Sequence, residues 1–166
     1  MKVLLLNLKM NKRLAVLRIR GSIGVDKKIQ DTLNMLRLYR KNYCSIVPNN
    51  HSYIGMLSRV KDYVTWGEID KETFKLLLEK RGKIVGNKSL NEHYVKEKSG
   101  LNIEQFSEDF LQQKKDFKDI PGIKQFFRLK PPTKGFERGG IKKPFSLGGA
   151  LGYRKNHIND LIRRMI

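Results

Sequence analysis

A chain of 166 residues has room for one domain, or for one domain with an extension. Thirty-five Lys and Arg against sixteen Asp and Glu give a formal charge of +19, an excess that a folded chain rarely keeps unless a polyanion offsets it. The single cysteine, Cys44, excludes an internal disulfide framework, and no apolar run approaches the roughly 20 residues a membrane span needs.

The opening "MKVLLLNLKM" holds a greasy patch too short for a signal-peptide core, so residues 1–12 read as an N-terminal tail. "RLAVLRIRG", residues 13–21, reads as a strand, with Ala15, Leu17 and Ile19 alternating with Leu14, Val16, Arg18 and Arg20. "DKKIQDTLNMLRL" then switches to helical spacing, with Ile29, Leu33 and Leu36 on one face and Asp26 as N-cap. "NYCSIVPN" is a second strand stopped by Pro48. "SYIGMLSRVKDY" is a second helix capped by Ser52, and "VTWGEI" a third strand.

Helices fill the middle of the chain. "DKETFKLLLEKRG" starts at a capping Asp70 and stops at Gly82, and "GKIVG" is a short strand or turn. Ser89 and Glu92, then Asn102 and Gln105, stand at capping-box spacing ahead of two further helices. Next comes "FFRLKPPTKGFERGGIKKPFSLGG", residues 126–149, with three prolines, five glycines and one acid, Glu137. Its composition predicts disorder in the free protein. "NHINDLIRRMI" closes the chain as an amphipathic helix whose Ile158, Leu161, Ile162 and Met165 can dock on the body, tethering the stretch at both ends.

Charge is not spread evenly. Residues 1–61 carry a net +11, residues 62–123 a net −1, and residues 124–166 a net +9. Two basic blocks around a neutral middle predict two separate surfaces for an anion.

"RGSIGVDKK" places a GxxG between a strand and a helix. Such a turn serves either to supply positive φ through glycine or to hold a phosphate on backbone N–H groups. The neighbouring Arg18, Arg20, Lys27 and Lys28 favour the second, because lysines in a first helical turn oppose the helix dipole and an external anion relieves that cost. It is neither a Walker A nor a GxGxxG. His51, His93 and His157 lack metal-ligand spacing, Cys44 reads as a buried structural thiol, and Asp70 beside Glu68 reads as a helix cap rather than half of a catalytic pair. Trp66 reads as core. Tyr39, Tyr43, Tyr53 and Tyr153 lie near basic residues and are candidates for stacking on bases.

The stretch "LAVLRIRGSIGVDKKIQDTLNMLRLYRKNYCSIVPNNHSYIGMLSRVKDYVTWGEI" closely resembles universal family thirty of the large-subunit ribosomal proteins. The shared positions are Ile23-Gly24, Lys27-Lys28, Thr32-Leu33, Leu36, Leu38, Gly55-Met56, Val60 and Val64. The ending "FRLKPPTKGFERGGIKKPFSLGGALGYRKNHINDLIRRMI" is similar to the long form of archaea and eukaryotes. A basic N-terminal extension like the eukaryotic one is missing, which makes an archaeal-type member the expectation.

The resemblance implies an α+β protein. A ferredoxin-like β-α-β-α-β module with a small antiparallel sheet (13–70) is followed by a helical region (71–120), a basic Gly/Pro-rich extension (121–155) and a C-terminal docking helix (156–166). It implies a structural, non-enzymatic constituent of the large ribosomal subunit in the cytoplasm. Its partners would be large-subunit (23S-type) rRNA and neighbouring ribosomal proteins, with no cofactor, membrane or small-molecule substrate. The expected RNA-binding residues are Arg18, Arg20, Lys27, Lys28, Arg37, Arg40, Lys41, Arg59 and Lys61 in the module. In the extension they are Arg128, Lys130, Lys134, Arg138, Lys142, Lys143 and Arg154, with Phe127, Phe136 and Phe145 anchoring it on bases or on the body. An RNA-modifying or phosphate-transferring enzyme with the Gly/Pro stretch of residues 126–149 as its lid, or another RNA-binding module with a basic surface, is the competing reading, but that stretch offers one acid and no histidine or cysteine for chemistry. A peripheral membrane binder fits poorly, because the last helix carries only Arg163 and Arg164.

Overall fold

The computed structural model describes residues 13–166; the tail expected over 1–12 lies outside the described residues. Strand β1 (Arg13–Arg18) is central, and every one of its residues is buried. Its alternation therefore serves two apolar faces rather than one apolar and one wet face. β2 (Tyr43–Pro48) and β3 (Val64–Glu68) flank it antiparallel, with Val16 opposite Ser45 on one side and Trp66 on the other.

Leu14 and Val16 face helices α1 (Lys27–Met35) and α2 (His51–Val60), where they pack with Leu33, Leu36, Leu57 and Val60. Ala15 and Leu17 face the opposite way, into a larger core. That core is closed by α3 (Lys71–Arg81), α4 (Glu92–Ser99), α5 (Ile103–Leu111) and the C-terminal helix α6 (His157–Met165). Phe74 stacks on Phe110 at 4.6 Å, and Lys71–Glu108 and Lys75–Glu104 pair α3 to α5 above it. The protein is thus α+β and three-layered, with the ferredoxin-like module as its middle and one outer layer.

Several boundaries differ from the sequence expectation for local reasons. β1 stops at Arg18 because the N–H groups of Ile19 and Arg20 both turn to the Tyr63 carbonyl. α2 is capped at Asn50 rather than Ser52. The capping box at Asn102–Gln105 forms, whereas α4 takes Asn91 as N-cap and Ser89 instead bridges to Lys83. Asp70 does stand at the N-cap of α3, but its side chain makes no cap bond. Its own N–H donates to Asn159 Oδ1 of α6, and Asn159 Nδ2 donates to the Glu68 carbonyl, so one buried amide fastens α6 to the β3–α3 corner. At Gly67 a Cβ would lie 1.9 Å from the Lys155 carbonyl oxygen, so only glycine lets the start of α6 close on β3.

The Gly/Pro-rich stretch departs most from expectation, because it is folded. Its first end forms β4 (Phe127–Arg128), antiparallel to β2. β5 (Gly152–Tyr153), just beyond its last end, pairs parallel with β3. The sheet is therefore mixed and five-stranded, in the order β4-β2-β1-β3-β5. Between the two short strands the chain holds itself by backbone bonds, among them Gly139 N–H to Gly148, Phe145 N–H to Leu151 and Ala150 N–H to Gly140. A Cβ at Gly149 would sit 2.1 Å from the Lys143 carbonyl oxygen, so glycine here serves internal packing rather than approach to an external partner.

Candidate nucleic-acid interface

The end of the sheet where β1 finishes and β2 and β3 begin brings together Arg20, Lys41, Lys61 and Lys142. The GxxG turn leaves from here, and the extension crosses the same end on its way from β4 to β5. A cleft of about 320 Å³ is lined there by Arg20, Ile23, Lys41, Tyr63 and Lys142. A neighbouring one of about 410 Å³ is lined by Lys61, Trp66, Lys142 and Tyr153. Lys142 belongs to both. Lys142 of the second basic block therefore joins Arg20, Lys41 and Lys61 of the first at this end, because β4 and β5 stitch the extension to both edges of the module.

Arg20 is held with its guanidinium 5.0 Å from the centre of the Tyr63 ring and donates to the Asp62 carbonyl at 3.2 Å. Ile23 stands fully exposed at the tip of the turn, and Gly24 takes the positive φ (67°) that glycine was expected to supply. Lys27 and Lys28 are exposed in the first turn of α1, where Asp26 caps by accepting from the Lys28 N–H. Arg40, Arg59, Lys130, Lys134, Arg138 and Lys143 are exposed, and Arg37 is half-buried at the end of α1. Lys130 and Lys134 lie where the extension passes the C-terminal end of α6, with the Lys130 N–H donating to the Met165 carbonyl. Arg128 lies over a cluster of Tyr43, Phe126 and Tyr39, of which Tyr39 is open to solvent.

Two of the expected RNA contacts are corrected. Arg18 is fully buried. Its guanidinium donates to the carbonyls of Arg20, Gly21, Leu38 and Tyr39 and to Ser22 Oγ. Burial lowers its pKa, and the nearby Tyr63 offsets part of that. Arg18 thus draws carbonyl oxygens of the turn and of the α1–β2 loop inward, which leaves fewer of them facing an approaching phosphate. Arg154 is 1% exposed. It makes a bidentate pair with Glu137 (2.7 and 3.3 Å), donates to Thr65 Oγ1 and the Ala150 carbonyl, and lies 4.8 Å from the centre of the Phe145 ring. Period-two alternation could not separate these arginines from surface ones. The lone acid in a basic stretch was the available signal for the clamp.

Burial pulls the Glu137 carboxyl upward. Hydrogen bonds from Arg154 and from its own backbone N–H outweigh that, with the charges of Arg154 and Arg164 behind them, and the net pKa is lowered. The phenylalanines anchor the extension on the body: Phe127 is buried in the larger core, Phe136 packs against it, and Phe145 lies between Arg154 and His157. Trp66 is half-buried beside Tyr153, whose hydroxyl donates to Glu68; burial first and that bond second push the Tyr153 pKa up to about 12. Cys44 is buried in β2, and burial pushes its thiol up to about 12, so it is inert at neutral pH. No cluster of three potential metal ligands occurs among the described residues.

The fold is that of a basic α+β protein in which cations from both basic blocks stand at one sheet end. Residues 14–64 match the family model for ribosomal protein L30p/L7e. Proteins named large ribosomal subunit protein uL30 are similar along almost the whole chain. That of Methanococcus maripaludis is 53% identical over 152 residues, covering 92% of this chain and 98% of the relative. Those of Methanopyrus kandleri (48%, covering 89% and 100%) and Archaeoglobus fulgidus (46%, covering 91% and 98%) are close behind. The chain belongs to the ribosomal protein L30p/L7e family.

Proposed function

We propose that the protein is a structural constituent of the large ribosomal subunit, in the cytoplasm, that binds large-subunit rRNA and touches neighbouring ribosomal proteins. The observation that carries this reading is the convergence of Arg20, Lys41, Lys61 and Lys142, from four separate parts of the chain, on one end of the sheet. The module (13–70) and the extension (121–155) hold the RNA together. Each phosphate neutralised by Lys or Arg releases counterions, so affinity falls steeply with salt. Fixed spacing of cations on a rigid sheet end selects RNA by the shape of its backbone rather than by base edges. The role is architectural and needs no catalytic group or cofactor. No helix among the described residues is long and apolar enough to cross a membrane.

Sedimentation tests the reading. The tagged protein, expressed in an archaeal host, should co-migrate with large subunits through a high-salt wash. Release into the soluble fraction at low salt, or migration with small subunits, would count against it.

A further inference from the structure

Away from the sheet end, a groove of about 620 Å³ opens between the module and the segment that follows α5. Five cations line it, Arg13, Arg37, Lys114, Lys115 and Lys118, against two carboxylates, Asp116 and Asp119. Both carboxylates are engaged within the protein. Asp116 pairs with the buried Arg13 at 2.8 Å, and Asp119 accepts from the Asp116 N–H at 2.7 Å. Arg37 and the three lysines take part in no ion pair with the described residues and leave the groove electropositive. The charge count over 62–123 hides this, because most acids of that segment lie elsewhere, several on the α3–α5 surface.

A niche of about 110 Å³ adjoins the groove and shares Arg37, Tyr53 and Gln125 with it. Ser45, on β2, lines the niche. It is 2% exposed, and its Oγ has no hydrogen-bond partner. An orphaned hydroxyl at such depth is costly unless something arrives to satisfy it. Cations free of ion pairs, a half-buried tyrosine, a carboxamide and an unsatisfied hydroxyl together suit one nucleotide: cations for its phosphate, a ring for its base, polar atoms for the base edge. An acidic peptide would use the lysines but not the niche.

We infer that this groove is a second RNA-binding site, which holds a single-stranded segment of the large-subunit rRNA and seats one unstacked base against Tyr53, Gln125 and Ser45. The site rests on the rRNA-binding reading above but is separate from the sheet end. It makes the loop after α5 an RNA contact rather than a spacer.

The probe is transcribed archaeal large-subunit rRNA, titrated against the full chain at several salt concentrations. Removing three phosphate contacts with Lys114→Ala/Lys115→Ala/Lys118→Ala should make the log–log salt slope shallower by about 2, since a single strand contributes about 0.7 per phosphate. Ser45→Ala should keep or raise the melting temperature, because it removes an unsatisfied group, yet weaken binding several-fold. A photo-crosslinking phenylalanine analogue at Tyr53, in reconstituted subunits, should attach to an unpaired nucleotide. An unchanged slope in the triple variant, an unchanged affinity in Ser45→Ala, or a crosslink to a protein would overturn the second site while wild-type binding leaves the first intact. Absence of salt-dependent binding by the wild type would instead remove the rRNA-binding reading itself.

Discussion

Glu137 and Arg154 form the pair on which the extension closes. Glu137→Gln leaves a buried guanidinium without its counter-charge, and breaking a buried pair of this kind costs about 3 kcal/mol. Urea unfolding of wild type and variant measures it. The sign with pH follows from the lowered native pKa of Glu137. The pair's contribution is fully present above the ordinary carboxylate value of about 4.3 and is lost as pH falls through the native value. The variant should show no such loss from this position. Arg18 calls for the opposite expectation from the one its charge invites. Arg18→Lys cannot satisfy the carbonyls of two loops, so it should destabilise by about 2 kcal/mol while leaving the salt slope of RNA binding nearly unchanged. A slope that flattens without loss of stability would return Arg18 to the surface role.

Among the elements, the sequence displayed β1–β3, α1, α2 and α6 through period and punctuation. Leu33, Leu57, Ile158 and Met165 all face inward as their spacing requires. β4 and β5 were not visible, because two residues carry no period and their pairing depends on partners far away in the chain. Composition misled over residues 126–149. Glycine and proline there look like a failure to fold, but Gly139 and Gly149 permit backbone-to-backbone packing that any Cβ would block. Among the expected site residues, the exposure of most cations was legible by position, whereas the burial of Arg18 and Arg154 was not, since charge alone does not say which arginine a loop will enclose. The folded extension makes a direct prediction. Limited proteolysis of the free protein should leave residues 126–149 intact, and Gly149→Ala should open them to cleavage. Rapid cutting there in the wild type would restore the disordered reading.

For the molecule as a whole, charge and topology combine. A net +19 would repel itself on any closed surface. The fold offsets part of this by pairing α3 to α5 with Lys–Glu contacts on one flank, and it brings Arg20, Lys41, Lys61 and Lys142 together where an anion can neutralise them. The extension does not reach away from the module as an independent limb; it completes the module's sheet and brings Lys142 beside Arg20 and Lys41. The central claim is that these residues act as one RNA-binding surface. Its most direct test is the salt dependence of binding to large-subunit rRNA for the wild type and for Arg20→Ala/Lys41→Ala/Lys142→Ala. The variant should melt at the wild-type temperature and bind with a log–log slope shallower by about 2, as expected for the loss of two to three phosphate contacts. An identical slope in both proteins, or wild-type binding that does not respond to salt, would contradict it.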